Sequence, residues 1–303
     1  MKDKLLRGVY TIAPTPFNED GSLDDSSLKT LTNFLLATGV DGVTILGIMG
    51  EAAKLTDLER DRVIAGVVEA SAGRLPVCVG TSHAGTDGCV AYSRRAQELG
   101  ADSLMVAPPK LARGTDEALR AHYLRVAETV DLPIVVQDHP TSSGVFMSVA
   151  VIASLADEEP RLRFLKLEEE PSPRKVTLVR KANPGVEIFG GLGGNMLLEE
   201  LRHGAMGTMT GFAYPEILKD IHTRFRSGDQ DGATEVFYRY CPLIRFENQP
   251  GVGLSIRKYV YRLRGAIACE RARAPFTPLD EETIADLNDL LTRLGLAPGK
   301  YGA

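Results

Sequence analysis

The feature that most constrains this chain is an alternation of short apolar runs with amphipathic stretches, repeated over its first two thirds. Apolar runs occur at Val9–Ala13, Gly42–Leu46, Pro76–Gly80, Ser103–Ala107, Pro133–Val136, around Phe164, Val186–Phe189 and Gly207–Gly211. Helical patterns fall between them at Asp25–Thr38, from Thr56 to about Ser71, and at Thr86–Leu99, Asp116–Thr129 and Ser148–Leu155. The second helix is announced by Thr56 and Glu59, the spacing of a capping box. Runs that are apolar throughout, not alternating, indicate a parallel sheet covered on both faces. Eight such units close most readily into an α/β TIM (β/α)8 barrel. No G-x-G-x-x-G follows the first run, which weakens a doubly wound dinucleotide fold.

Beyond Pro215 the pattern is helical: Pro215–Ser227, Gln230–Arg245, Val252–Gly265 and Asp280–Leu294. This divides the chain into a barrel over 1–227 and a C-terminal helical extension over 228–303. The net charge of −5 argues against nucleic-acid or anionic-membrane surfaces. The start, MKDKLLRGVYTIAPTPF, lacks a signal-type apolar core, and no stretch approaches a membrane span. Cys78, Cys89, Cys241 and Cys269 show no C-x-x-C spacing, so they read as reduced packing residues in a cytoplasmic protein.

In a TIM barrel, chemistry sits where the strands end. The unusual polar clusters fall at such ends: Thr15, Gly47–Glu51, Thr81–His83, Gln137–His139, Lys166–Glu168, Gly190–Gly194 and Thr208–Thr210. Each has a plain alternative, since glycines make turns, His83 and His139 can be packing residues, and Glu168–Glu170 can be a solvated loop. Their convergence on one rim favours a site. Leu162, Phe164 and Leu165 read as a buried strand with Lys166 at its end. A lysine at a strand end is ordinarily a solvated flank; one in apolar surroundings can attack a carbonyl as a free amine. His83, His122, His139, His203 and His222 lack metal-ligand spacing, and no metal site is indicated. His122 and His222 fall in helices and read as surface residues. There is no P-loop and no G-x-S-x-G elbow.

The order of these motifs resembles the dihydrodipicolinate synthase / N-acetylneuraminate lyase family over essentially the whole chain. That resemblance implies a barrel with a C-terminal helical domain, an oligomer (dimer or tetramer), and an imine between a strand-six lysine and a 2-oxo acid with no further cofactor. The matching lysine is Lys166. The family's G-T-T-G-E loop is here Gly47-Ile48-Met49-Gly50-Glu51, whose backbone N–H groups would hold the substrate carboxylate. The G-x-x-G-x-[MI]-[ST] pattern also matches at Gly204–Thr210.

Departures limit what carries over. The Y-N-x-P motif is Gln137-Asp138-His139-Pro140, so the proton-relay tyrosine is replaced by Gln137. The relay threonines are Ile48 and Met49, the interface P-Y-Y is Pro108-Pro109-Lys110, and the arginine for the aldehyde substrate is Ser142. These losses argue against dihydrodipicolinate synthase activity.

The chain is similar to a subgroup, 2-keto-3-deoxy-L-arabonate dehydratase and its relatives. The matching stretches are Val136–Pro140, Phe164–Glu168, Gly204–Gly211, Pro242–Asn248 (P-L-I-x-x-E-N) and Ala268–Arg273. It differs from that subgroup in the strand-two loop and at His139.

The leading expectation is a dehydratase of a 2-keto-3-deoxy sugar acid. Lys166 forms the imine and Glu168 acts as base or acid, with Asp138 and His139 as secondary choices. Gly47, Ile48, Met49, Gly50, Gln137, Gly190–Gly193, Met209 and Thr210 line the substrate site, with Asn195 as a further candidate. A salt bridge to a loop cation is the plain alternative for Glu168. Rival expectations are a retro-aldolase with His139 replacing the tyrosine, a hydratase-aldolase or pyrroline deaminase, and a silent barrel that binds a 2-oxo acid.

Overall fold

The computed structural model describes residues 6–110 and 114–296. The basic start at 1–5 and the end of the C-terminal extension at 297–303 lie outside the described residues. Eight parallel strands form a closed barrel in chain order: β1 (Gly8–Ile12), β2 (Gly42–Ile45), β3 (Val77–Gly80), β4 (Ser103–Val106), β5 (Ile134–Asp138), β6 (Phe164–Leu167), β7 (Glu187–Gly190) and β8 (Gly207–Thr210). β8 pairs back onto β1 and closes the ring. The TIM barrel expectation therefore holds, with C-terminal helices at Gln230–Glu247, Gly253–Leu263 and Glu281–Arg293.

Almost every strand residue is buried because helices cover the outside and side chains fill the inside. Tyr10, Cys78, Met105, Val135, Phe164, Phe189 and Met209 belong to the inner cluster. Val43, Val79, Leu104, Val136, Leu165 and Leu167 belong to the larger cluster beneath the helices. This period of two decides which polar residues at the strand ends reach the barrel mouth.

The capping box forms as the sequence indicates: the Thr56 hydroxyl accepts from the Glu59 N–H, and the Glu59 carboxylate accepts from the Thr56 N–H. Some readings need correction. Leu162 lies in a short 3-10 turn, Pro160–Leu162, before β6 begins at Phe164. The hydropathy pattern names no helix after β6 or β7, where the structure has Ser172–Ala182 and Leu197–Arg202. The first carries many cations and buries only Val176 and Val179 as apolar residues; the second is six residues long, too short to show a period.

His122 and His222 are on helices but buried, not on the surface. His122 Nδ1 pairs with the Thr86 hydroxyl at 3.0 Å, and His222 Nε2 with the Met206 carbonyl at 3.1 Å. Each ring thus has a polar partner supplied by another element. Among the described residues no helix is long and apolar enough to cross a membrane. The four cysteines are free.

Candidate active site

Gln137 and Lys166 are register partners on β5 and β6. Both side chains enter the barrel mouth, where they line an inner cavity of about 160 Å³. Glu168 follows Lys166 by two residues, the spacing that returns a side chain to the same face of an extended chain. Its Oε2 lies 2.9 Å from Lys166 Nζ and accepts from Gln137 Nε2 at 2.8 Å. Its Oε1 accepts from the Leu192 N–H at 3.3 Å. Lys166 is 2% exposed and Glu168 7%, so the pair is screened from bulk water.

The run of three glutamates divides into three environments. Glu168 turns into the cavity; Glu169 pairs with Lys175 Nζ at 2.7 Å outside the barrel; Glu170 is exposed. Burial pushes the Glu168 carboxyl up, but Lys166 and the Gln137 hydrogen bond hold it below the usual range. It stays ionised. His139 lies beside it, Nδ1 to Oε2 3.9 Å, and Nδ1 also pairs with the Ser142 hydroxyl at 2.8 Å. Burial lowers the His139 pKa, with Glu168 opposing, so the ring is neutral at pH 7.

Asp138 does not join this group. It is one residue from Gln137 and therefore points outward, where its buried carboxylate takes 2.6 Å contact from Lys175 Nζ. Desolvation raises its pKa to about 6 despite that lysine. Met209 is fully buried in the inner cluster and does not line the cavity. Thr210 does line it, and accepts from the Gly193 N–H at 2.8 Å. Asn195 lies outside the lining.

The loop after β2 has a strained backbone. Leu46 and Glu51 have φ of 56° and 53°, and Leu192 after β7 has φ of 51°. Among the described residues only one other non-glycine has positive φ, Ala72 at a helix end. Left-handed residues of this kind persist only where their surroundings hold them. For Glu51 the hold is explicit: Oε1 takes Lys258 Nζ at 2.7 Å, and Oε2 takes Lys54 Nζ at 3.0 Å and the Arg273 N–H at 2.8 Å. Among the described residues the N–H groups of Ile48 and Met49 have no acceptor. The Thr15 hydroxyl donates to the Gly50 carbonyl at 2.6 Å. Ile48 is 61% exposed at the lip, whereas Met49 is buried and lines the inner cavity.

A second, wider cavity of about 640 Å³ adjoins the first, and Ile48 and Gln137 line both. Gly47, His83, Lys110, Ser142 and Ser143 are among its walls.

Gly190 and Gly191 separate two carboxyl groups. A Cβ on Gly191 would lie 2.4 Å from Glu168 Cγ, and one on Gly190 would lie 1.7 Å from Glu200 Oε2. Glu200, behind β7, is fully buried, accepts from the Ser172 hydroxyl at 2.6 Å, and has its pKa raised by burial to about 8.

Sequence reasoning missed Arg257 and Asn248, both lining the inner cavity from the C-terminal helices. Asn248 ends the P-L-I-x-x-E-N stretch, which was a usable signal. Arg257 carried none. No group of three or more His, Cys, Asp or Glu able to hold a metal ion occurs among the described residues.

Fold and site together define a (β/α)8 barrel with a buried amine–carboxylate pair at the carboxyl ends of its strands. The dihydrodipicolinate synthetase family model matches residues 5–294. The chain belongs to this family, whose members are lyases. It is 36% identical over 293 residues to L-2-keto-3-deoxyarabonate dehydratase of Azospirillum brasilense, covering 95% of this chain and 94% of that one. It is 30% identical to 4-hydroxy-tetrahydrodipicolinate synthase of Methanothrix thermoacetophila, covering 96% and 97%. Among solved structures, dihydrodipicolinate synthase from Rhodopseudomonas palustris aligns with a TM-score of 0.90 at 36% identity, covering 95% and 97%. YagE, a family member from E. coli K12 solved in complex with pyruvate, aligns with a TM-score of 0.90 at 26% identity, covering 97% and 100%.

Proposed function

We propose that this lyase dehydrates a 2-keto-3-deoxy sugar acid through an imine on Lys166. The observation that carries the reading is the Lys166–Glu168 contact of 2.9 Å inside a cavity whose described lining holds no tyrosine. With one proton shared between Lys166 and Glu168, the amine attacks the C2 carbonyl while Glu168 holds that proton, then returns it to the C2 oxygen, which leaves as water and gives an iminium that acidifies C3. Glu168, held ionised beside Nζ, takes the C3 proton and passes it to the departing C4 hydroxyl, which leaves as water. One carboxylate within reach of both carbons suffices for this elimination. Hydrolysis of the imine then releases a 2-oxo acid lacking one water and restores Lys166. The similarity to a keto-deoxyarabonate dehydratase supports this substrate class, and the pyruvate complex of YagE supports a 2-oxo acid head.

A retro-aldolase is the second reading, favoured by one observation: His139 lines the cavity beside Glu168 and is neutral, able to take a proton from a C4 hydroxyl. The chain would work as a cytoplasmic homo-oligomer without an added cofactor.

The test is borohydride trapping with intact mass, run in parallel with 2-keto-3-deoxy-L-arabonate and pyruvate. An adduct on Lys166 from the sugar acid, with a product one water lighter, is the expected result. Pyruvate and an aldehyde released from the sugar acid would replace the dehydratase by the aldolase. No adduct from either compound would overturn the imine.

A further inference from the structure

Besides Lys166, the inner cavity has one other lysine or arginine among its described lining residues, Arg257. It stands on the helix Gly253–Leu263, outside the barrel, and its side chain is 9% exposed. Its surroundings leave the guanidinium short of acceptors. One terminal nitrogen donates to Asn248 Oδ1 at 3.2 Å, and the other meets only the Met49 sulfur, at 3.5 Å. Nε is 3.4 Å from Glu247 Oε2 but makes no hydrogen bond there. A buried guanidinium has five N–H donors in a planar fork suited to a carboxylate, and a thioether is a poor substitute acceptor.

Glu247 does not claim the charge fully. Its Oε2 accepts from the Ala213 N–H at 3.0 Å, its Oε1 has no partner, and burial raises its pKa to about 7 against the pull of Arg257. Lys166, for its part, is neutralised by Glu168. A 2-oxo acid entering this cavity brings a further negative charge, and Arg257, paired with Glu247 only through Nε, keeps a terminal nitrogen with no oxygen acceptor to meet it.

Met49 links this cation to the loop after β2. The guanidinium touches the side chain of Met49, and among the described residues the N–H groups of Met49 and Ile48 lack acceptors. Ile48, Met49 and Arg257 all line the same inner cavity as Lys166. C1 is bonded to C2, the atom held on Lys166, so the carboxylate lies within one bond of the imine carbon.

Resting on the 2-oxo acid reading above, we propose that Arg257, held by Asn248 and Glu247, binds the C1 carboxylate together with the Ile48 and Met49 amides after Met49 swings aside. The C-terminal helices then supply a substrate-binding group as well as packing.

The test compares the full-length protein's affinity for pyruvate and for its neutral isostere pyruvamide by calorimetry, with borohydride trapping run separately. Wild type prefers the acid. Arg257→Met reduces that preference by about ten-fold or more, the scale of one lost charge-assisted contact in a buried site. Arg257→Lys keeps the charge beside Glu247, guards against misfolding of the first variant, and reduces the preference several-fold because an ammonium lacks the planar fork. A folded variant of either kind with the wild-type preference overturns the proposal, as does a wild type without any preference. Equal weakening of acid and amide marks a merely structural arginine and also overturns it. Acid preference that depends on Arg257 without trapping would overturn the imine instead and leave this assignment standing.

Discussion

Lys166 and Glu168 leave the same strand end two residues apart and meet again inside the barrel, Nζ to Oε2 2.9 Å. The contact is made by strand parity: an insertion of one residue between them would send the carboxylate into the helix layer. Gln137, the register partner of Lys166, completes the arrangement by donating to the same oxygen at 2.8 Å.

The two members of this pair should fail differently. Lys166→Ala is expected to abolish borohydride trapping outright. Glu168→Gln should retain trapping and lose about 10²-fold or more in turnover, the usual scale for a positioned acid–base group. Near-normal turnover in Glu168→Gln would remove Glu168 from the chemistry.

Gly191→Ala tests the same carboxylate through its neighbour. The added methyl would lie 2.4 Å from Glu168 Cγ and 2.6 Å from Oε1, so the side chain must move. Trapping on Lys166 should persist while turnover falls about 10²-fold, as displacements near 1 Å do. Unchanged steady-state rates would show that the position of Glu168 is not critical.

Glu200 predicts a pH effect on stability. Its folded-state pKa is raised from 4.5 to about 8, so the native protein binds the proton more tightly than the unfolded chain. The stabilisation is fully present below pH 4.5 and is lost as pH rises through 8. In urea titrations this group contributes a decline of up to about 1.4 kcal/mol per pH unit across that window. Glu200→Gln should remove the decline; a parallel slope in the variant would contradict the assignment.

Lys258 and Glu51 are both essentially inaccessible and 2.7 Å apart. Breaking such a pair strands the other charge, so Lys258→Met should cost about 3–5 kcal/mol by equilibrium unfolding. The double variant with Glu51→Gln should cost less than the two single changes added together. Strict additivity would mean that the two charges are not coupled.

The barrel was legible because its signals are local: apolar runs of strand length, helix periods between them, and a capping box at Thr56. What escaped depended on parity or on distant contacts. The sequence Gln137-Asp138 offers two polar side chains, and only the strand register shows that the first faces in and the second meets Lys175. The helix Ser172–Ala182 hid behind its charges. His122 and His222 could be placed on helices but not recognised as buried, since their partners come from other elements. Arg257 reaches the cavity from a helix whose sequence resembles any amphipathic surface segment.

The left-handed Glu51 ends the loop that carries Ile48 and Met49, yet its carboxylate is gripped by Lys258 and the Arg273 amide, from chain far beyond the barrel. The end of the loop is thus held by contacts in which the side chains of Ile48 and Met49 take no part. Ile48 and Met49 face the cavity from a loop whose end is anchored elsewhere. A chimera that transplants this loop into another barrel must bring Glu51 and Lys258 as a single inheritable part, separated in the chain but not in space.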